Sequence, residues 1–221
     1  SPAEKWDWFV GTIFDTYPYL LPCIIASLLS TVSFFFAIKK LPESHKPSNE
    51  IKINLNPINH VSNMIKDLRK VIKMPQLGRL VMISVMFTYG FTIMHAVFVL
   101  FTEHDLGFNE AQNGRIFAII GINGLIIQGG LIGPLTKRYG SNLLMKIGTI
   151  VCGMGLLLTP YVSHEHIWIT MGAVVVLVST GNALFQPSFS AILAQRTSEE
   201  GQEMGMVMGA QESASAFARI I

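Results

Sequence analysis

His95, Glu212 and Arg219 stand inside stretches of this sequence that are otherwise apolar, and each has a chemistry to explain. His95 lies near the middle of the charge-free run 80–102. An imidazole takes up and releases a proton across the physiological pH range. Glu212 lies roughly two turns into the apolar stretch 204–221, with Arg219 seven residues on. A carboxylate in apolar surroundings either carries a proton, balances a cationic ligand or pairs with a nearby cation. Arg219, about two turns away on the same helical face, is such a partner. For His95 the alternative is a neutral ring satisfied by a neighbouring helix, with Tyr89 and Thr92 in range only where they share its face. These alternatives stay open at the level of sequence.

The uncharged polar residues Asn123, Gln128, Asn182, Gln186 and Gln211 also fall in apolar stretches. Side chains of this kind hydrogen-bond between helices in lipid at about 0.6–2 kcal/mol. Phe87, Phe91, Phe98 and Phe101 suit an apolar cavity wall, or packing, or contact with lipid. His164-Glu165-His166 has metal-binding residue types, but adjacent side chains in a short turn diverge, so no metal is expected. Cys23 and Cys152 lie in apolar runs, which excludes a disulfide scaffold and a cysteine zinc site. Enzyme motifs and a phosphate-binding loop are lacking, so neither an enzyme nor ATP as energy source is expected. No cofactor is implied.

The elements that must position these residues follow from composition. Of 221 residues 50% are hydrophobic and 14% charged, with a mean hydropathy of +0.46; soluble domains carry about 25% charged residues. Uncharged runs cover 16–38, 80–102, 116–136, 147–163 and 167–195. A helix needs about 20 apolar residues to cross a hydrocarbon core about 30 Å thick. The pattern predicts a polytopic helical membrane protein. Pro187, inside the longest run, is expected to bend its helix. Glycines at 129 and 133, and at 201, 205 and 209, are expected to make small-residue packing faces.

Basic residues set the orientation. Segments 39–79, 137–146 and 196–203 hold 13 of the 16 Lys and Arg, whereas 1–15, 103–114 and 164–166 hold only Lys5. Lys/Arg excess marks the cytoplasmic side. The first span therefore runs inward, and the chain stops within a sixth, which reads as a piece of a longer protein. The net charge of +2 gives no reason to expect nucleic acid. Within 39–79 the first part is polar and proline-punctuated, as in a linker. The second places Ile58, Val61, Ile65, Leu68 and Ile72 at helical spacing, interleaved with Lys66, Arg69, Lys70 and Lys73. This predicts a basic amphipathic helix that lies on the inner leaflet or packs under the bundle.

One loop carries a family likeness. Gly133-x-Leu135-x-x-Arg138-x-Gly140, between two spans, resembles the loop signature of the major facilitator superfamily. That signature normally has Asp at the position of Lys137 and further basic residues at those of Ser141 and Asn142. Leu100-Phe101-Thr102-Glu103 with Leu106-Gly107-Phe108 and Gly114 resembles the connection between the seventh and eighth spans of its drug/proton antiporter branch. Gly181 to Pro187-Ser188 resembles the tenth span, and Glu212-Ser213-x-Ser215-x-x-x-Arg219 the start of the eleventh, although Gln is usual where Glu212 stands. The closest likeness is to tetracycline exporters, yet Gly124 and Cys152 occupy the positions of their intramembrane His and Asp. Tetracycline is therefore not expected as the substrate.

The resemblance implies an all-α membrane bundle holding spans six to ten and the start of eleven of a twelve-helix transporter. Residues 1–38 would be an outer segment and the last helix of the N-terminal bundle, 39–79 a cytoplasmic linker, and 80–221 an incomplete C-terminal bundle. In this family the first, fourth, seventh and tenth spans line a central cavity, which implies substrate contact for Tyr89, His95, Asn182 and Gln186. Glu212 and His95 become the proton or cation sites, and Gly133, Leu135, Arg138, Gly140 and Arg219 the structural motif. The implied function is proton-coupled efflux of amphipathic, drug-like molecules by a monomeric antiporter in the plasma (bacterial inner) membrane. The main coupling acid would lie in the other half. Nutrient or metabolite transport, and a non-transporting receptor or scaffold using helix 58–73, are the alternatives.

Overall fold

The structure, a computed structural model, describes residues 20–40, 57–162 and 165–220. Lys5, the linker 41–56, His164 and Ile221 lie outside the described residues, as do the side chains of Ile58 and Val61. The chain forms two compact units, residues 1–54 and 55–221. The first contains helix α1, Leu20–Lys40. Leu28, Val32, Phe34 and Phe36 leave it exposed and apolar around its circumference, as suits a helix solvated by lipid or by other helices.

The second unit holds the remaining helices: α2 (Pro57–Lys73), α3 (Pro75–His104), α4 (Glu110–Ile126), α5 (Ile132–Tyr139), α6 (Ser141–Leu158), α7 (Ile167–Glu199) and α8 (Met204–Ile220). A single π turn, Ile127–Leu131, joins α4 to α5, so Glu110–Tyr139 is one apolar helix of 30 residues. A 3₁₀ turn, Thr159–Tyr161, extends α6. Five stretches are long and apolar enough to cross a membrane: α1, α3, α4 with α5, α6 with its 3₁₀ turn, and α7. They coincide with the five uncharged runs.

Local chemistry sets the ends. Extended Met74 followed by Pro75 at the first helical turn separates α2 from α3, because proline tolerates that position and restricts the residue before it. Asn109 caps α4 in a reciprocal capping box with Gln112, at 2.9 and 2.8 Å. Helix α7 ends in a Schellman turn: Gln202 N–H donates to Thr197 O, Gly201 N–H to Ser198 O, and Gly201 takes φ 62°.

Two apolar clusters hold this unit. One joins α2, α3, α7 and α8 through Val71, Leu77, Val81, Phe185, Phe189 and Val207. The other joins α3, α4, α6 and α7 through Phe98, Ile116, Cys152, Met171, Val174 and Val178. Helices α6 and α7 come closest. A Cβ on Gly181 would overlap the backbone of Cys152, and one on Gly148 would lie 2.8 Å from Gly181 O. Without side chains there, the backbones touch and dispersion contact is maximised. The glycines expected to pack are different ones: a Cβ on Gly133, Gly205 or Gly209 would meet nothing within 4 Å, and Gly201 serves the turn.

Candidate binding face

Phe87, Phe91 and His95 recur every four residues on α3, as do Phe185 and Phe189 on α7. Residues four apart stand one above the other on a helix, so each helix carries a column of rings. The columns meet where Phe87 stacks on Phe185, centroids 3.7 Å apart and planes 15° from parallel. Phe185 continues to Phe189 at 5.6 Å, Phe87 to Phe91 at 6.1 Å, and Phe91 to His95 at 4.7 Å and 58°. Five rings thus form one ladder across two helices. Its α7 end is buried, with Phe185 1% and Phe189 3% exposed, while His95 at the α3 end is exposed.

Polar clamps fix the helices that carry the ladder. Asn123 on α4 donates from Nδ2 to Ser179 Oγ (2.7 Å) and Thr180 Oγ1 (3.0 Å) on α7. Gln211 on α8 donates from Nε2 to Ser84 Oγ on α3 and to Ser215 Oγ on its own helix, both at 3.0 Å. Ser84 and Ser215 are themselves buried. In apolar surroundings these groups have few alternative partners, so each clamp restricts how its helix pair can slide.

The residues singled out from sequence distribute unevenly around the ladder. Tyr89 is 41% exposed and stands between Phe87 and Phe91 in sequence; six residues from His95, it lies about 120° around the helix, on another face. His95 contacts Phe91 rather than Tyr89. Asn182 is half-buried, and its Oδ1 is enclosed with no hydrogen-bond partner among the described residues. Gln186, one turn on and next to Phe185, is exposed. Glu212 and Arg219 are both exposed on α8 and form no ion pair with each other. Phe185 and Phe189 were not distinguishable from ordinary core by sequence; their four-residue spacing was the available signal.

Phe98 and Phe101 do a different job from Phe87 and Phe91. They line an apolar cavity of about 310 Å³ between α3 and the end of α6, with Ile93, Val97, Leu156 and Thr159. None of Tyr89, His95, Asn182 or Gln186 borders it. His95 instead edges a pocket of about 20 Å³, room for little more than one water.

The motif Gly133–Gly140, read as a loop from sequence, is helical through Tyr139 and turns only at Gly140; two internal features support it. Leu135 packs on the cluster of Ile127, Ala183 and Leu184, and Gly140 takes φ 77°, ψ 151°, a conformation close to glycine-only. Arg138 is exposed, with its guanidinium 5.3 Å from the centre of the Tyr139 ring. Among the described residues no cluster of three or more His, Cys, Asp or Glu could hold a metal.

The family model of the Major Facilitator Superfamily matches residues 8–221. Multidrug resistance protein 2 of Bacillus subtilis is 24% identical over 92% of this chain and 48% of its own length. Tetracycline resistance protein, class H, of Pasteurella multocida is 24% identical over 48% of this chain and 26% of its own. Dipeptide and tripeptide permease A of Erwinia pyrifoliae is 29% identical over 48% of this chain and 21% of its own. The chain thus spans at most about half the length of these relatives. No solved structure matches it.

Proposed function

Because the chain belongs to the Major Facilitator Superfamily, whose members are membrane transporters and not enzymes, we propose that it is part of an antiporter exporting small amphipathic, drug-like molecules against protons. The observation that carries this reading is the ladder Phe189–Phe185–Phe87–Phe91–His95. Its α3 end, half-buried Phe91 and exposed His95, offers a π surface with few fixed charges, which suits flat lipophilic cations, and the buried Phe185 and Phe189 back it. Tyr89, His95, Asn182 and Gln186 contact substrate in this reading, and the enclosed, unpartnered Oδ1 of Asn182 becomes an acceptor when rocking of the bundles uncovers it. Glu212 and His95 exchange the proton. Two bundles rock about a site near the bilayer midplane, and protonation biases that equilibrium so that substrate and proton compete for one state. The protein acts as a monomer, and the bacterial relatives favour a bacterial inner membrane. Tetracycline itself is not proposed, given Gly124 and Cys152.

The similarity to a dipeptide and tripeptide permease favours peptides as a second reading. A peptide brings a charge at each end and needs fixed counter-charges. On α8, Glu212 and Arg219 are such a pair, about two turns apart.

The test uses the whole protein in inverted vesicles energised with a proton gradient that a dye reports. Collapse of the gradient on adding lipophilic cations, but not di- or tripeptides, is expected. Collapse with peptides alone selects the second reading. Absence of response to every compound overturns both and leaves the scaffold alternative.

A further inference from the structure

Helix α2 presents three distinct arcs. At roughly 100° per residue, Val71 and Leu68 form one arc. Val71 is 0% exposed and belongs to the cluster with Leu77 and Val207, and Leu68 packs against it; this arc seats α2 on the first turns of α3 and α8. A second arc holds Ile65 and Ile72, two turns apart and 41% and 50% exposed despite being apolar. Next to it, a third arc holds Arg69, Lys73 and Lys66, all exposed, and none pairs with a carboxylate among the described residues. Lys70 lies beyond them, with Nζ turned to Met206 Sδ at 4.0 Å.

A helix seated on a bundle needs only the first arc, and water satisfies the third, so it is the exposed isoleucine arc that calls for cover. An apolar stripe directly beside a row of unpaired cations fits the boundary of a bilayer, with isoleucines at acyl depth and cations among phosphates. The position agrees. Met74 alone separates α2 from the membrane-crossing α3, which puts α2 at the level where that span leaves the hydrocarbon. We propose that Ile65 and Ile72 with Lys66, Arg69 and Lys73 form a binding surface for anionic phospholipid headgroups of the adjoining leaflet. The surface clamps α2 between lipid and the ends of α3 and α8, whatever the transporter carries.

The test is hydrogen exchange over residues 64–73 of the whole protein in nanodiscs of phosphatidylcholine with graded phosphatidylglycerol. Protection of this segment is expected to rise with the phosphatidylglycerol fraction. Arg69→Gln/Lys73→Gln shifts the midpoint about 25-fold, at about fivefold per cation, whereas Arg69→Lys/Lys73→Arg keeps it. Lys146→Gln, an exposed cation on α6, leaves it in place and controls for net charge. Protection equal in neutral and anionic discs, or unmoved by the double Gln variant, overturns the proposal. Protection appearing only on adding soluble polyglutamate to neutral discs also overturns it, in favour of an acidic protein partner.

Discussion

Phe87 and Phe185 lie face to face, 3.7 Å between ring centres, and join α3 to α7 at the middle of a five-ring ladder. Phe185 is 1% exposed, so truncating it empties a space that neighbouring rings cannot refill. Phe185→Ala is expected to lower the stability of the purified protein by about 3 kcal/mol, read as a fall in Tm. Phe185→Leu loses the stacking but keeps most of the volume, and is expected to lose less than half as much.

Gly181 and Gly153 differ by what surrounds them, although both are helical glycines. A Cβ on Gly181 meets the Cys152 backbone, while one on Gly153 meets nothing within 4 Å. Gly181→Ala is expected to cost about 1–3 kcal/mol as α6 and α7 separate. Gly153→Ala is expected to be neutral or up to about 1 kcal/mol stabilising through helix propensity. Equal Tm changes in the two variants would refute the close-approach account.

Gly140 is held at φ 77°, where a side chain is strained. Gly140→Ala is expected to destabilise by about 1–3 kcal/mol. Gly133→Ala, with open space around its Cβ, is expected to be neutral or up to about 1 kcal/mol stabilising. Thermal unfolding of both variants separates backbone strain from any other demand on this motif.

Gln211 holds Ser84 and Ser215 together. Gln211→Leu leaves the buried Ser84 and Ser215 hydroxyls only their own long contact of 3.4 Å and is expected to cost about 0.6–2 kcal/mol. Its neighbour Glu212 is exposed, and Glu212→Gln is expected to leave stability unchanged within about 0.5 kcal/mol while slowing the proton-coupled transport proposed above. A large Tm loss in Glu212→Gln would mark a structural carboxylate instead.

The spans were legible because lipid tolerates few charges, so five uncharged runs map onto five long apolar helices. The seat of α2 was half legible: spacing gave an amphipathic helix, and only tertiary contact decided that Val71 packs while Ile65 and Ile72 do not. The glycine contacts were not legible, since Gly133 and Gly181 read alike until a neighbouring helix is placed. The ladder escaped for the same reason. Phe185 and Phe189 become part of one surface with Phe87 only when α3 lies against α7, a relation across 98 positions of sequence. His95, Asn182 and Gln186 could be named from sequence, but not that His95 closes on Phe91 or that Asn182 Oδ1 is enclosed.

Equilibrium binding of ethidium, a flat lipophilic cation, to the purified whole protein tests the central claim most directly. Saturable binding is expected, weakened about 2- to 30-fold in Phe91→Leu, the range of a lost cation–π contact, and weakened also in His95→Ala and Gln186→Ala, with Tm preserved. Saturable binding that all three variants leave unchanged would contradict the assignment of the Phe91–His95 end of the ladder as the substrate face.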